Sequence, residues 1–217
     1  MCGICGIIEL KHKAADGLQL LPMMRTMKHR GPDDEGVFVE DNVALGFVRL
    51  SIIDLTSAGH QPMASDDGNY VIVFNGEIYN YIELRNELIL SGVSFNTKTD
   101  TEVLLKAYIT WGENCLHRFN GMWAFVIYNR KEKTLFASRD RFGVKPFYYY
   151  IDDARFIFAS EIQPILSVFG KKATPDYLSI FDYLVFNRTD QTEATFFEGI
   201  KKLQHGHQLS IVNKEMV

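Results

Sequence analysis

The chain has 217 residues, 47% of them hydrophobic, and a net charge of −4 from 23 basic and 27 acidic side chains. Its length allows a full core without staples, and its charge offers no electrostatic case for nucleic acid or an anionic membrane. No apolar run reaches the roughly 18 residues of a membrane span, Glu9 and Lys11 interrupt any leader-like stretch, and the three cysteines read as free thiols in a reducing, cytoplasmic setting.

In chain order, Cys2 to Leu10 is a short apolar run and reads as a buried strand. Leu18 to Lys28 reads as a helix with Pro22 near its first turn. His29 to Gly36 is a polar loop with strong breakers. Val37–Glu40 and Val43–Ile53 flank Asp41-Asn42, a hairpin signature. Tyr70 to Phe74 is wholly apolar, which suits burial on both faces. Asn80 to Ser91 has helical spacing and stops at Gly92. Thr99-Asp100-Thr101-Glu102 is a capping-box pattern ahead of Val103–Trp111, and Gly112 ends that helix. Met122–Tyr128, Leu135–Ser138, Phe147–Ile151 and Phe156–Ala159 make a run of short strands, Tyr177–Phe186 a further helix and Gln208–Val212 a last strand. Short strands broken by helical blocks predict two packed sheets with helices outside, a four-layer α+β arrangement. No linker or repeat divides the chain, so residues 1–217 read as a single domain.

Cys2 and Cys5 have C-x-x-C spacing, but a redox pair of that type opens a helix after a strand. Here the segment is extended, so three residues span about 10 Å. A disulfide needs Cα atoms within about 7 Å, and the two sulfurs face opposite ways. A structural zinc takes four ligands, and the remaining cysteine, Cys115, lies far along the chain. Cys5 therefore reads as a small buried hydrophobe and Cys115 as helix packing. Cys2 differs because it follows Met1. Removal of that methionine leaves a thiol and an α-amine on one residue. The amine titrates near about 7.7–8.0, so it can serve as base for the nucleophile attached to it.

Three polar groups interrupt the apolar pattern. Asn75-Gly76-Glu77 follows an apolar strand. The Asn75 amide beside the Gly76 backbone N–H suits an oxyanion; the alternative is a plain turn. Arg49 sits inside an apolar strand and requires a partner. It reads as an ion pair, an edge position or a clamp for a carboxylate ligand. Asp100 fits helix capping and ligand binding equally.

Motifs extend this set. They are Met1-Cys2-Gly3-Ile4-Cys5-Gly6, His29-Arg30-Gly31-Pro32-Asp33, Arg49-Leu50-Ser51-Ile52-Ile53-Asp54-Leu55, His60-Gln61-Pro62-Met63 and Phe74-Asn75-Gly76-Glu77-Ile78-Tyr79-Asn80. Thr99 to Glu102, Arg139 to Tyr149 and Phe158 to Glu161 complete them. With this order and spacing the chain resembles the glutaminase domain of class II glutamine amidotransferases, which are N-terminal-nucleophile (Ntn) hydrolases. Within that class it is similar to the N-terminal domain of glutamine-dependent asparagine synthetases. Sugar-aminating and purine-pathway branches usually carry an Arg-Trp-Ala-Thr-His-type motif where this chain has Arg49 to Ile53.

The resemblance implies an αββα sandwich of two antiparallel sheets. It implies hydrolysis of L-glutamine to L-glutamate and ammonia through a γ-glutamyl thioester on Cys2, with Asn75 and Gly76 as oxyanion donors. Arg49 would hold the substrate α-carboxylate, Leu50, Ser51, Ile52 and Ile53 would form the adjoining wall, and Glu77 and Asp100 would hold the α-ammonium. No metal or organic cofactor is expected in this domain. ATP and Mg²⁺ belong to a C-terminal synthetase domain that receives the ammonia and is not part of this chain. A homodimer is compatible with the resemblance. Competing readings are another Ntn amide hydrolase, a silent glutamine-binding module, and a Cys–His hydrolase using His29 or His60. Leu203-Gln204-His205-Gly206-His207 departs from the usual prolines of the family, at a place expected to affect a domain junction and not the chemistry.

Overall fold

The computed structural model describes residues 1–11, 13–170 and 172–217. The first half of the chain runs β1 (Gly3–Glu9), α1 (Leu20–Thr26), β2 (Asp34–Glu40), β3 (Val43–Arg49), β4 (Met63–Ala64), β5 (Tyr70–Ile78), α2 (Tyr81–Leu90) and α3 (Asp100–Trp111). The second half runs β6 (Gly121–Asn129), β7 (Thr134–Arg139), β8 (Tyr148–Ile151), β9 (Arg155–Ala159), α4 (Ile162–Ser167), α5 (Tyr177–Phe186), β10 (Ile200–Lys202), β11 (Gln208–Val212) and β12 (Glu215–Met216).

The strands form two antiparallel sheets, ordered β10-β8-β9-β1-β3-β2 and β12-β11-β7-β6-β5-β4. Strand side chains alternate between faces, and that alternation sorts the core into three layers. Ile4 and Ile8 of β1, Val43, Leu45 and Phe47 of β3, and Val71 and Val73 of β5 meet between the sheets. Cys5 and Ile7 point outward against α1 and α4. Ile72 and Phe74 point outward against α2 and α3. This is the predicted αββα sandwich, with β1 inside its sheet and apolar on both faces.

Several boundaries differ from the sequence reading. The polar loop after α1 is shorter, because Asp34 already pairs with Arg49 and starts β2. β3 stops at Arg49, and Leu50 to Ile53 leave the sheet with Ile52 and Ile53 exposed. β5 does not turn at Asn75-Gly76; both residues stay in the ladder opposite Ala124 and Trp123, which removes the plain-turn alternative. The helix signal of α4 was masked by Pro164 in its first turn, while β4, β10 and β12 are too short to show a period.

The capping box is half formed. Thr99 caps α3 by accepting from the Glu102 N–H at 3.2 Å. The Glu102 carboxylate instead accepts from the N–H groups of Asn96 and Thr97 at 2.8 and 2.6 Å. Asp100 is the first helical residue and not the cap. Cys5 and Cys115 are buried, as expected for packing residues, and all three cysteines are free.

Candidate active site

Side-chain parity explains how the site assembles. Cys2 packs against the layer between the sheets, on the face of β1 that carries Ile4. Arg49 follows Leu45 and Phe47 on the inner face of β3, and Asn75 and Glu77 follow Val71 and Val73 on the inner face of β5. Thiol, cation and amide thus reach one end of the inter-sheet gap from three strands. They line a cleft of about 580 Å³ including its mouth, together with Leu50, Ile52, Ile53, Gly76 and Asp100. Of the sequence-stated residues, Ser51 alone faces elsewhere: its N–H donates to Asp33 Oδ2 at 2.7 Å, on the neighbouring depression.

The geometry around Asn75 and Gly76 follows from the β5 edge. The Phe74 N–H donates to Gln61 Oε1 at 2.6 Å, and the Ile78 N–H donates to Asp100 Oδ2 at 3.0 Å. Alternate residues of a strand direct N–H groups to the same side. The Gly76 N–H therefore lies between these two, on the edge away from β6 and toward the cleft. A Cβ at Gly76 would come within 2.3 Å of the Met122 carbonyl and 2.4 Å of the Phe74 ring, so glycine is needed for close approach. Asn75 is 1% exposed, and its Nδ2 is a buried donor without a partner among the described residues. A buried unpaired N–H is rare in folded proteins; here the Asn75 donor sits next to the Gly76 N–H on the same edge.

Cys2 is held from behind. Arg30 Nε donates to the Cys2 carbonyl at 2.9 Å, and Arg30 Nη1 pairs with Glu161 at 2.9 Å. The Ile4 N–H donates to Ser160 Oγ at 3.0 Å, and the Ser160 N–H returns to the Ile4 carbonyl at 2.9 Å. Burial pushes the Cys2 thiol up, while the Leu50 N–H at 3.4 Å, the chain terminus, Arg49 and Lys145 pull it back. Met1 also lines the cleft, with Sδ 3.5 Å from Lys145 Nζ.

At the far side the cleft carries charges of both signs. Burial pushes the Asp100 carboxyl up to about 6, against the lowering pull of the Ile78 N–H, and the Glu77 charge adds to the rise. Two acids in one cleft favour a cation between them. Arg49, 7% exposed, donates Nη1 to the Thr56 carbonyl at 2.7 Å and Nη2 to the Asp54 carbonyl. It braces the segment after β3 and keeps its outer edge on the cleft. Gly59 makes room for it, since a Cβ there would lie 2.0 Å from Nη2.

Reasoning from sequence assigned no role to Gln61, Gly59, Lys145, Arg30 or Ser160. Each lies inside a quoted motif except Gly59, whose signal was its position directly before His60-Gln61-Pro62. The histidines take no part: His60 pairs with Asp34 at 2.8 Å and His29 with Glu161 at 3.0 Å, and neither lines the cleft. Gly206 donates to the Asp140 carbonyl at 2.8 Å and Arg139 donates to the Leu203 carbonyl at 2.7 Å. The departing Leu203–His207 segment therefore packs on the turn that carries Lys145, nearer to the site than its place in sequence implied.

The glutamine amidotransferase domain family matches across residues 1–217. The chain belongs to that family. Two asparagine synthetases (glutamine-hydrolysing) of Bacillus subtilis are 39% identical over 213 residues and 41% over 215. Each alignment covers 97% of this amidotransferase domain, and 34% and 33% of the relatives. A Methanocaldococcus jannaschii relative is 46% identical over 186 residues, 77% of this chain and 35% of its own. The amidotransferase domain thus spans about a third of the length of the curated relatives it matches. The solved glutamine phosphoribosylpyrophosphate amidotransferase of B. subtilis, complexed with ADP and GMP, superposes with a TM-score of 0.73 at 19% identity. That match covers 100% of this chain and 48% of the other, and shows the shared Ntn-type fold.

Proposed function

We propose that this domain hydrolyses L-glutamine to L-glutamate and ammonia, with Cys2, freed of Met1, as nucleophile. The observation that carries the reading is the buried, unpaired Asn75 Nδ2 donor in the same cleft as the Cys2 thiol, with Gly76 next to it on the cleft wall. The α-amine takes the thiol proton as sulfur attacks the side-chain amide carbon. The amide oxygen becomes an oxyanion between the two donors. The amine then passes its proton to the departing nitrogen, which leaves as ammonia. Water adds to the γ-glutamyl thioester, its proton returns to the amine and then to sulfur, and glutamate leaves. Side chains and backbone supply all of this chemistry, so the domain calls for no metal or organic cofactor of its own.

Recognition uses both ends of a free amino acid. Arg49 and the Leu50–Ile53 wall take the α-carboxylate side, and Asp100 with Glu77 takes the α-ammonium. A peptide-bound glutamine lacks both charges and leaves the acids unpaired in a buried place. The length of the relatives supports a larger partner module, of the ATP- and Mg²⁺-dependent asparagine synthetase kind, as the ammonia acceptor. α5 agrees with that: Tyr177, Leu178, Phe181, Leu184, Val185 and Phe186 are exposed on it, an apolar surface of the sort partners cover. The absence of any helix long and apolar enough to cross a membrane, among the described residues, is compatible with work in the cytoplasm.

The test is ammonia release from glutamine by the Met1-free chain, with Cys2→Ala as control. Turnover that persists in Cys2→Ala removes the nucleophile assignment; no ammonia from the Met1-free chain removes the glutaminase reading.

A further inference from the structure

The chemistry above leaves one charged group of the cleft without a task. Lys145 is 4% exposed and lines the cleft beside Cys2 and Glu77. It is not a surface lysine folded inward. Asp140, fully buried, accepts from the N–H groups of Phe142 and Val144 at 3.0 Å and of Lys145 at 2.9 Å. Arg139 donates to the carbonyls of Gly143 at 2.7 Å and Lys145 at 2.8 Å. A turn locked from both sides therefore carries the ammonium into the cleft that Cys2 lines, with Nζ 3.5 Å from Met1 Sδ.

The charged groups facing Lys145 are Glu77 on β5, Cys2 at the start of β1, Arg30 between α1 and β2, and Asp140 on its own turn. Arg49 on β3 also faces Cys2. Burying an ammonium is unfavourable, and its desolvation pulls the Lys145 pKa down while Glu77 and Cys2 push it up. Packing alone would be served better by Leu or Met at this place.

We propose that Lys145 is a positioning residue for the nucleophile: its ammonium drives the first proton off the thiol–ammonium pair of processed Cys2 into solvent. What is left is the neutral pair that attacks substrate. The physical cause is simple. A fixed cation disfavours a second cation on the α-amine and favours an anion on the sulfur, so both groups release protons at lower pH. The role of the amine rests on the glutaminase reading; the effect on the thiol does not.

The experiment uses the Met1-free chain as wild type, Lys145→Met and Lys145→Arg. The pH dependence of Cys2 alkylation by iodoacetamide is followed by mass spectrometry of the N-terminal peptide, beside the acid limb of kcat/KM for ammonia release. Loss of the charge should move both midpoints up by about one pH unit, and Lys145→Arg should restore them toward wild type. Lys145→Gln replaces the Met variant if that one does not fold. Unmoved midpoints in a folded neutral variant, or equal shifts in the Arg and neutral variants, overturn the proposal. A Lys145-dependent alkylation midpoint in a wild-type chain that releases no ammonia supports this proposal while sinking the glutaminase reading.

Discussion

Asn75→Ala separates catalysis from stability in opposite directions. The Asn75 Nδ2 is buried and unpaired in the free domain. An oxyanion donor of this kind typically carries a factor of about 10²–10³ in kcat, roughly 3–4 kcal/mol. KM for glutamine should change little, because the ground-state carbonyl does not yet carry the charge that the donor meets. Folding responds the other way. An unsatisfied buried donor costs about 1–3 kcal/mol of desolvation, and truncation removes that penalty. The small void left behind takes back about 1 kcal/mol. The net is a gain between zero and about 2 kcal/mol, which for a domain of this size raises Tm by at most roughly 4–8 °C. Ammonia release coupled to glutamate dehydrogenase measures the first effect, and thermal melting the second. Turnover close to wild type would refute the oxyanion role. A steep fall in Tm alongside the lost activity would show that the amide has a structural partner, and would refute the reasoning equally.

Asp100→Asn tests the buried acid. Its folded pKa of about 6 lies above the ordinary 3.8, so burial of the charged form opposes folding above pH 6 and the opposition fades as pH falls toward 3.8. The variant should therefore be more stable at pH 7.5 by up to about 3 kcal/mol, a gain that shrinks between pH 6 and 4. A gain of constant size in melts across that range contradicts the assignment. The same variant should raise KM for glutamine. Gly59→Ala places a Cβ 2.0 Å from Arg49 Nη2, so the guanidinium must leave the Thr56 and Asp54 carbonyls. Loss of a charge-assisted hydrogen bond of about 1.5–3 kcal/mol predicts a ten- to hundredfold rise in KM, with kcat the less affected of the two; an unchanged KM rules out the bracing role. Ser160→Ala leaves the buried Ile4 N–H without its acceptor at 3.0 Å. Denaturant melts should show a loss of about 1–3 kcal/mol, and kcat should fall; a neutral result means that Ser160 does not position the nucleophile strand.

The layered architecture was readable because the continuous apolar runs of β1, β3 and β5 mark strands covered on both faces, and the bounds of α5 matched at Tyr177–Phe186. Boundaries failed where a local cue competed with the ladder. Asn75-Gly76 carries strong turn chemistry, yet pairing with Ala124 and Trp123 kept it extended. Leu50 to Ile53 is β-branched and apolar, yet it leaves the sheet because its carbonyl-rich continuation wraps the Arg49 guanidinium. Asn75 and Arg49 were legible as odd polar groups in apolar strands. The supporting ones were not. Gln61, Arg30 and Ser160 act through backbone groups far away in sequence, a relation that appears only once strands are side by side.

The strand that follows Cys2 is closed on one side by a partner from far along the sequence. Cys5 of β1 pairs on one side with Gly46 and on the other with Ala159. Until that later segment is in place, β1 has one ladder and one open edge. A chain cut short of β9 lacks that second ladder and the Ser160 acceptor of the Ile4 N–H, and with them half of what holds β1 in register.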